Sequence, residues 1–408
     1  MTPPALTSRW LERPAHVTER AGGLPAGFRA AGVACGLKPS GGRDLGLLVS
    51  DAPQTVSAAR FTRSGVLAAP VLLTQERTRL AGLRAVVVNS GNANAATGRR
   101  GLEDAARSQG AAAMACGVPE DRVAVASTGV IGVPLDAHAV VRGIAAARRE
   151  LSDAGADAFA EAIRTTDAFP KQAELDVELP AGTVRVCAQA KGAGMISPAF
   201  ATMLCFVETD AALEPDTADL LLGVCVKRSF DRISVDGQLS TNDTAVLIAS
   251  GASGVAVAPE SEDELRLGEA LDWLLRRLAL QIVRDGEGAR RVGRVVVHGG
   301  HEPTVVAAAR AVANSPLVKA ALHGGDPNWG RVAQAVGAAL HDAAPLPLDI
   351  WIEGVQVCAG GTAVPHAPPA LGDEVEYTVG LPGAGAEAEV FFSDLSYEYV
   401  RINGEYTT

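Results

Sequence analysis

Residues 191–206 read Lys191-Gly-Ala-Gly-Met-Ile-Ser-Pro-Ala-Phe-Ala-Thr-Met-Leu-Cys-Phe206, and the interpretation of the whole chain starts from this stretch. A lysine and two glycines lead into an apolar run with the composition of a β-strand. At the junction a small residue, Ala201, precedes a hydroxyl residue, Thr202. If the backbone were cut between them, Thr202 would carry a nucleophilic hydroxyl and also a free amine to serve as its base. Thr202 is therefore a candidate N-terminal nucleophile.

The composition is that of a globular protein and narrows the functional classes. The chain has 408 residues, 48% hydrophobic and 20% charged, which is enough for several packed layers and about two subdomains. A net charge of −11 without a dense Lys/Arg run argues against nucleic-acid binding, which requires a basic patch. The first residues lack the pattern of a signal peptide, and no apolar run has the length of a membrane span. We therefore expect a cytoplasmic protein with no nucleic-acid and no membrane partner.

Several common site motifs are missing from the sequence. The six cysteines show no CxxC spacing and lie in apolar contexts, which favours buried free thiols over disulfides or metal ligands. The pair in His298-Gly-Gly-His301 has no third ligand nearby in the sequence, so a surface turn is the preferred interpretation. The chain contains no Walker A motif, no GxGxxG, no HExxH and no GxSxG. We therefore expect no metal and no bound cofactor.

The hydrophobic periodicity predicts strands and helices that are mixed but not in strict βαβα order. Layered sheets with helices outside fit this pattern better than a doubly wound fold. A loose boundary is expected near residues 286–292, and residues 347–403 are expected to form mostly strands. The predicted strands cover residues 84–88, 122–126, 173–179, 183–188, 203–207, 244–249, 294–298, 348–352, 355–358, 374–379 and 388–392. The predicted helices cover residues 102–116, 136–150, 216–228, 262–284, 303–312 and 328–341.

Four polar segments could contribute to a site. Ala126-Ser-Thr-Gly-Val-Ile-Gly132 places a hydroxyl beside a glycine amide, as an oxyanion hole requires, although a turn at a strand end would look the same. Arg164-Thr-Thr-Asp-Ala-Phe-Pro-Lys171 could cap a helix and begin a loop. The polar loop of residues 234–244 could be turn chemistry or could face a substrate. Asp285-Gly-Glu-Gly288 suits a helix end, with Glu287 held between two glycines.

Taken together and in order, these segments resemble the ornithine acetyltransferase family, the glutamate N-acetyltransferases of arginine biosynthesis. The resemblance runs nearly from end to end, and its segments are individually weak but jointly specific. They are Asn89-Ser-Gly-Asn-Ala-Asn-Ala, Ser127-Thr-Gly-Val-Ile-Gly, Thr165-Thr-Asp, Lys191-Gly-Ala-Gly-Met-Ile, Ala201-Thr-Met-Leu, Ser234-Val-Asp-Gly, Ser240-Thr-Asn-Asp-Thr, Asp285-Gly-Glu-Gly, Asn314-Ser-Pro-Leu-Val-Lys, Gly325-Asp-Pro-Asn-Trp-Gly-Arg-Val and Tyr399-Val-Arg-Ile-Asn-Gly-Glu-Tyr-Thr-Thr408.

The resemblance implies an α/β fold, a four-layer α/β/β/α sandwich related to the aminopeptidases of the DmpA type, with a smaller C-terminal α/β subdomain. It implies cleavage into an α chain, residues 1–201, and a β chain, residues 202–408. Residues 202–290 would complete the catalytic core and residues 291–408 would form the subdomain. The two chains would stay together and pair as an α2β2 tetramer.

The resemblance also implies roles for individual residues. Autocatalytic cleavage after Ala201 would expose Thr202 as the nucleophile, with Thr128 and Gly129 as the oxyanion hole. The implied reaction moves an acetyl group from N2-acetylornithine to glutamate, and some family members also accept acetyl-CoA as the donor. The positions implied to contact substrate are Thr165, Lys191, Thr202, Glu287, Asn403 and Thr408.

Elementary chemistry agrees with these roles. An amide acetyl is a poor electrophile, and a covalent acetyl-enzyme divides one difficult step into two. A free α-amine has a pKa of about 7.7–8, close to what a general base needs, and a nearby Lys191 would lower it by repulsion. An exposed, solvated lysine is the alternative for Lys191. As a hypothesis, Lys191 and the hydroxyls suit a substrate carboxylate, and Glu287 suits the side-chain ammonium of ornithine.

The sequence departs from the family pattern near the implied site. Gln238 and Leu239 replace a charged or polar residue and a small polar one, Ser197-Pro-Ala-Phe200 precedes the nucleophile, and Phe169 stands where Thr or Arg is commoner. These changes leave open a paralogue that acts on another amino acid in secondary metabolism. An aminopeptidase or amidase with the same nucleophile, and a binding protein without activity, are the competing classes.

Overall fold

The computed structural model describes residues 8–197, 203–383 and 385–405. In these residues the strands are β1 (Val17–Arg20), β2 (Phe28–Val33), β3 (Leu45–Ser50), β4 (Val56–Phe61), β5 (Ala85–Asn92), β6 (Val123–Val130), β7 (Lys171–Leu179), β8 (Gly182–Lys191), β9 (Leu204–Thr209), β10 (Ile233–Ser234), β11 (Thr244–Ala249), β12 (Val292–His298), β13 (Asp349–Ile352), β14 (Val355–Ala359), β15 (Thr362–Ala363), β16 (Glu374–Gly380) and β17 (Glu387–Ser393). The helices are α1 (Ala69–Arg77), α2 (Gly98–Cys116), α3 (Ala137–Glu150), α4 (Ala156–Ala162), α5 (Pro215–Arg228), α6 (Glu262–Arg284), α7 (Glu302–Asn314), α8 (Pro316–Gly324), α9 (Trp329–Ala339) and α10 (Tyr397–Glu405).

Two sheets pack face to face at the centre of the molecule. The four-stranded sheet has the order β2-β3-β5-β6, and the six-stranded sheet has the order β1-β7-β8-β9-β11-β4. Apolar side chains of both sheets meet between them, among them Leu48, Val86, Phe206 and Val246. Helices α1, α2 and α3 cover the outer face of the four-stranded sheet, and α5 and α6 cover that of the six-stranded sheet. The layers run α/β/β/α, which confirms the predicted sandwich.

Burial on both faces explains the sequences of the central strands. All six residues of β3, Leu-Gly-Leu-Leu-Val-Ser, are buried, and so are those of β9 and β11. Strands covered on both sides read as nearly continuous apolar runs rather than as an alternation of apolar and polar residues. The strands and helices predicted for the sandwich are confirmed. They could be predicted because each has an apolar face that the next layer covers.

The register of three strands brings the site segments to one end of the six-stranded sheet. Strands β7 and β8 form an antiparallel hairpin around Pro180-Ala181. At its far end Lys191 of β8 is paired with Leu204 of β9, and Leu204 is paired with Thr244 of the parallel strand β11. The residues on either side of the stretch 198–202 are therefore held in one sheet.

The seven-stranded sheet forms the smaller C-terminal α/β subdomain. Its order is β10-β17-β12-β16-β13-β14-β15, and α7, α8 and α9 pack on it around Val295, Val312, Tyr377 and Phe392. Strand β10 comes from the central part of the chain and pairs in parallel with Phe391 and Phe392 of β17. This pairing joins the subdomain to the sandwich next to the segment 234–244.

The C-terminal stretch differs from the sequence prediction. Strands were expected over most of residues 347–403, and this is wrong for the final part, because Tyr397–Glu405 forms α10. No residue of α10 is buried, so no apolar stripe with the helical period is visible in the sequence. Ser396 marks the start of the helix, since its Oγ accepts a hydrogen bond from the backbone N–H of Tyr399 at 3.1 Å.

All six cysteines are free thiols, as predicted, and four of them are buried. Within the described residues, none of the helices is by itself long and apolar enough to cross a membrane, and the one pair that would pass together, α7 and α8, is bent by 55°.

Candidate active site

A cleft of about 280 Å³ lies where the ends of β6 and β8 meet the loop after α6 and the C-terminal helix α10. Every sequence-predicted site residue that the structure describes lines this cleft. These residues are Thr128, Gly129, Thr165, Lys191, Glu287 and Asn403. The remaining predicted residues, Ala201, Thr202 and Thr408, lie outside the described residues.

Thr128 and Gly129 occupy the end of β6, where the chain passes very close to β5. Gly129 has a φ of 134°, which L side chains rarely adopt, and a Cβ there would lie 2.3 Å from the backbone carbon of Gly91. Only glycine fits this position. The Oγ1 of Thr128 accepts a hydrogen bond from Nζ of Lys191 at 3.1 Å. Because an ammonium only donates, the Thr128 hydroxyl keeps its own proton for an acceptor in the cleft.

Lys191 is buried, with 3% of its surface exposed, so the alternative of a solvated lysine is wrong. Burial lowers the pKa of its ammonium, while the carboxylate of Asp167 opposes that effect. The ammonium therefore supplies a poorly hydrated positive charge beside Thr128. Such a charge interacts more strongly with a bound anion than an exposed lysine would.

A buried ion network fixes two walls of the cleft. Nζ of Lys171 donates to Oδ1 of Asp167 at 2.7 Å and to Oδ2 of Asp285 at 2.6 Å. Asp167 also accepts from the backbone N–H of Gly192 at 2.7 Å and of Thr165 at 3.0 Å. Burial alone would raise the pKa of Asp167, but Lys171 and Lys191 hold it well below its usual value. The network ties the Thr165 loop, the end of β8 and the end of α6 together.

Glu287 faces the cleft from the loop after α6. Its backbone N–H donates to the carbonyl of Ala193 at 2.9 Å, and its Oε2 accepts from Nδ2 of Asn403 at 2.7 Å. A Cβ on Gly194 would lie 2.7 Å from the Glu287 carboxylate. The missing side chain at Gly194 is therefore what leaves room for this carboxylate.

The segment 234–244 contributes turn hydrogen bonds and two residues that line the cleft, Asp236 and Gln238. Nδ2 of Asn242 donates to the carbonyls of Ala93 and Ser127 at 2.7 and 2.9 Å, which fixes the segment beside the end of β6. Oδ1 of Asp243 accepts from the backbone N–H of Met203, the residue after Thr202 in the sequence, at 2.8 Å. Burial raises the pKa of Asp243 well above its usual value. These contacts place the start of β9 next to Lys191 and Thr128.

Comparison with known proteins agrees with this arrangement. The model of the ArgJ family matches residues 29–408. The arginine biosynthesis bifunctional protein ArgJ of Symbiobacterium thermophilum is 45% identical over 399 residues, 95% of this chain and 99% of that protein. The protein of the same name from Geobacter sulfurreducens is 44% identical over 395 residues, 94% of this chain and 99% of that protein. The chain belongs to the ArgJ family.

Membership in the ArgJ family makes the chain an acyltransferase of arginine biosynthesis and confirms the resemblance found in the sequence. The chain is also similar to a solved structure of the ornithine acetyltransferase of Mycobacterium tuberculosis complexed with ornithine. The two are 43% identical, and the match covers 45% of this chain and 97% of that one with a TM-score of 0.41.

The residues that depart from the ArgJ pattern lie in different places relative to the cleft. Gln238 lines the cleft, whereas Leu239 is 41% exposed and does not line it. Phe169 places its ring 4.9 Å from Nζ of Lys171, where it shields the buried ion network. Ser197 is buried. Only Gln238 among these four contacts the space that a substrate would enter.

Several lining residues were not predicted individually, among them Ile131, Thr166, Met195, Asp236 and Tyr399. Asp236 accepts from the backbone N–H groups of Met195 and Ile196 at 2.6 and 2.8 Å and from the hydroxyl of Tyr399 at 3.2 Å. It therefore holds α10, with Asn403, over the cleft. The motif segments contained Asp236 and Tyr399, but their pairing joins residues 163 positions apart and has no local signal.

Proposed function

We propose that this chain is a self-cleaving acetyltransferase that moves an acetyl group from N2-acetylornithine to glutamate through an acetyl ester on Thr202. The observation that supports the proposal most is the gathering of Thr128, Gly129, Lys191, Glu287 and Asn403 around one cleft, although they come from distant parts of the chain. ArgJ membership over residues 29–408 supports the same reaction. The products are ornithine and N-acetylglutamate.

In the first step the free amine of Thr202 takes the proton of its own hydroxyl, and Oγ1 attacks the acetyl carbonyl carbon. The carbonyl oxygen becomes an oxyanion that accepts hydrogen bonds from the Thr128 hydroxyl and the Gly129 N–H. In a serine protease, removing one such donor costs roughly 100- to 1000-fold in kcat. Collapse of the intermediate breaks the C–N bond, and the departing ornithine amine takes the proton from the Thr202 ammonium.

In the second step the amine of glutamate attacks the acetyl ester. The Thr202 amine removes the proton that the attacking nitrogen loses and passes it to Oγ1 as the ester C–O bond breaks, which restores the hydroxyl of Thr202. The same two donors serve the second oxyanion. Water is the competing acceptor, and its use would turn the enzyme into an amidase.

Substrate recognition follows from the charges of the cleft. Lys191 is the buried cation beside Thr128 and suits the substrate α-carboxylate. Glu287, oriented by Asn403, suits the side-chain ammonium of ornithine. Thr165 and Thr408 complete the proposed substrate contacts. Acetyl-CoA is an additional donor to be tested, and no metal or resident cofactor is proposed.

Self-cleavage between Ala201 and Thr202 would give chains of residues 1–201 and 202–408, the second comprising the rest of the core, 202–290, and the subdomain, 291–408. The pairing of β8 with β9 joins these chains within one sheet, so they would stay associated after the cut. We propose an α2β2 assembly located in the cytoplasm.

A denaturing gel and N-terminal sequencing test the cleavage. The 41.8 kDa chain should appear as two fragments of similar size, the second beginning Thr-Met-Leu-Cys, and Thr202→Ala should give one uncut, inactive polypeptide. An assay of N2-acetylornithine with and without glutamate tests the reaction. Ornithine release that depends on glutamate supports the transferase, whereas equal release without it indicates an amidase. An uncut, inactive wild-type chain would refute both.

A further inference from the structure

A second cavity, of about 310 Å³, lies between the six-stranded sheet and the C-terminal subdomain. Its walls come from β4, α5, α7 and β17, and it shares no lining residue with the cleft. The apolar part of its lining consists of Phe61, Val226, Val306, Ala388 and Val390. The volume and the apolar lining suit a small molecule with an aliphatic middle.

Most of the basic side chains in this cavity have a close polar partner. Arg60 is bound by both carboxylate oxygens of Asp219, so it has little capacity left for a ligand. Arg60 pairs with Asp219 at 2.6 Å, Lys227 pairs with Glu302 at 3.1 Å, and Nε of Arg232 donates to the carbonyl of Lys227 at 3.2 Å.

The guanidiniums of Arg310 and Arg63 do not each have a close partner of this kind. Arg310, on α7, is half-buried and has no hydrogen bond, and no ion pair within 4 Å, to any residue of the described part of the chain. Arg63, whose side chain is 69% exposed, approaches Asp231 to 3.7 Å. Burial lowers the pKa of Arg310, Asp231 opposes that effect, and Arg63 adds to it by repulsion. One carboxylate therefore faces two guanidiniums, which leaves an excess positive charge next to the half-buried Arg310.

At the other end of the cavity, a carboxylate lies without a basic partner among the described residues. Glu387, the exposed first residue of β17, lines the cavity and forms no ion pair within 4 Å with the residues that the structure describes. The neighbouring N–H of Ala386 donates to the carbonyl of Gly300 at 3.1 Å, so Glu387 lies beside the start of α7. Arg310 is eight residues after Glu302 on the same helix, about 12 Å along its axis.

We propose that this cavity binds a small ω-amino carboxylate. Its carboxylate is held by Arg310 and Arg63, its methylene chain lies on the apolar lining, and its ammonium faces Glu387. A guanidinium pair binds a carboxylate through charge-assisted hydrogen bonds, and the separated charges select a molecule with a cation at one end and an anion at the other. The site is distinct from the cleft and goes beyond the proposed reaction.

Isothermal titration of the full-length protein with 6-aminohexanoate tests the proposal, because this probe lacks an α-amino acid head. Hexanoate and hexylamine are the comparison probes. We expect one site, weaker binding of hexanoate and no binding of hexylamine. Arg310→Met should weaken 6-aminohexanoate binding at least 10-fold, Glu387→Gln should weaken it and should abolish the preference over hexanoate, and melting curves should show that both variants are folded.

Two further variants locate the binding. Arg142 is an exposed arginine on α3 outside the cavity, so Arg142→Met should leave the affinity unchanged, and so should Glu287→Gln in the cleft. The proposal is overturned if wild type does not bind the probe at 10 mM or binds hexylamine equally well. It is also overturned if Arg310→Met binds like Arg142→Met, or if Glu287→Gln removes the binding.

Discussion

Replacement of Gly194 by alanine disturbs the Glu287 carboxylate without changing Glu287 itself. A Cβ on Gly194 would lie 2.7 Å from Cδ and Oε1 of Glu287 and 2.8 Å from Oε2. Favourable non-bonded separations begin at about 3.5 Å, so the carboxylate must move by roughly 0.8 Å. A shift of that size away from Asn403 stretches the hydrogen bond from its Nδ2, now 2.7 Å long, to about 3.5 Å, beyond the usual range for such a bond.

The size of the effect follows from the interaction that is lost. A hydrogen bond to a charged group is worth about 1.5–3 kcal/mol, which corresponds to roughly a 10- to 150-fold loss in kcat/KM for the acetylornithine donor. The fold should tolerate the change, because Gly194 lies outside the left-handed region and the atoms it meets are the flexible end of a side chain. The melting temperature should therefore stay close to that of wild type.

Steady-state kinetics with N2-acetylornithine at saturating glutamate measure the effect, in a cycle with Glu287→Gln and the double variant. Gly337→Ala, on an exposed position of α9 with nothing within 4 Å, is the matched control and should have wild-type kinetics. If Gly194 acts through Glu287, the double variant should be no worse than Glu287→Gln alone. Simple additivity of the two losses, or an unchanged KM for the donor in Gly194→Ala, would refute the reasoning.

Two further predictions concern stability. Lys171→Met should lower the free energy of unfolding by about 3–5 kcal/mol, because Asp167 and Asp285 would lose their buried partner. Urea denaturation measures this loss, with Lys227→Met, at an exposed ion pair, as the control. A loss no larger than that of the control would contradict the prediction. Burial raises the pKa of Glu208 from 4.5 to about 8, so the folded protein keeps a proton that the unfolded chain releases. The stability that this provides is complete below pH 4.5 and is lost as the pH rises through 8. Relative to Glu208→Gln, wild type should therefore lose up to about 1.4 kcal/mol of unfolding free energy per pH unit in this range, and parallel pH profiles would disprove it.

The parts of the fold that could be predicted are those in which apolar residues recur with the spacing of a strand or a helix. Strands such as β9 and β11 have both faces covered and read as apolar runs, and α6 has an apolar face over most of its length. The site residues Thr128 and Glu287 could be named because they lie in short segments that occur together and in order. These segments do not show how close the site residues lie to one another, because those distances are set only when the two sheets pack.

The features that sequence could not provide depend on contacts between distant residues. Lys171 pairs with Asp285 across 114 positions, and Tyr399 pairs with Asp236 across 163, so neither pair leaves a periodic or spacing signal. Helix α10 was missed because it has no buried face and is held to the cleft by polar contacts instead. Hydrophobic periodicity indicates which helices have a buried face. It does not indicate a helix that is held in place by two hydrogen bonds.

Within the proposed function, the two substrates make opposite demands on the cleft. Ornithine brings a side-chain cation, which Glu287 suits, whereas glutamate brings a side-chain anion, which Glu287 repels. A neutral amide can serve both, since its oxygen accepts from an ammonium and its nitrogen donates to a carboxylate. Gln238 is such a group, and it lines the cleft while Leu239 does not. Of the departures from the family pattern, Gln238 is therefore the one whose chemistry bears on which amino acid accepts the acetyl group.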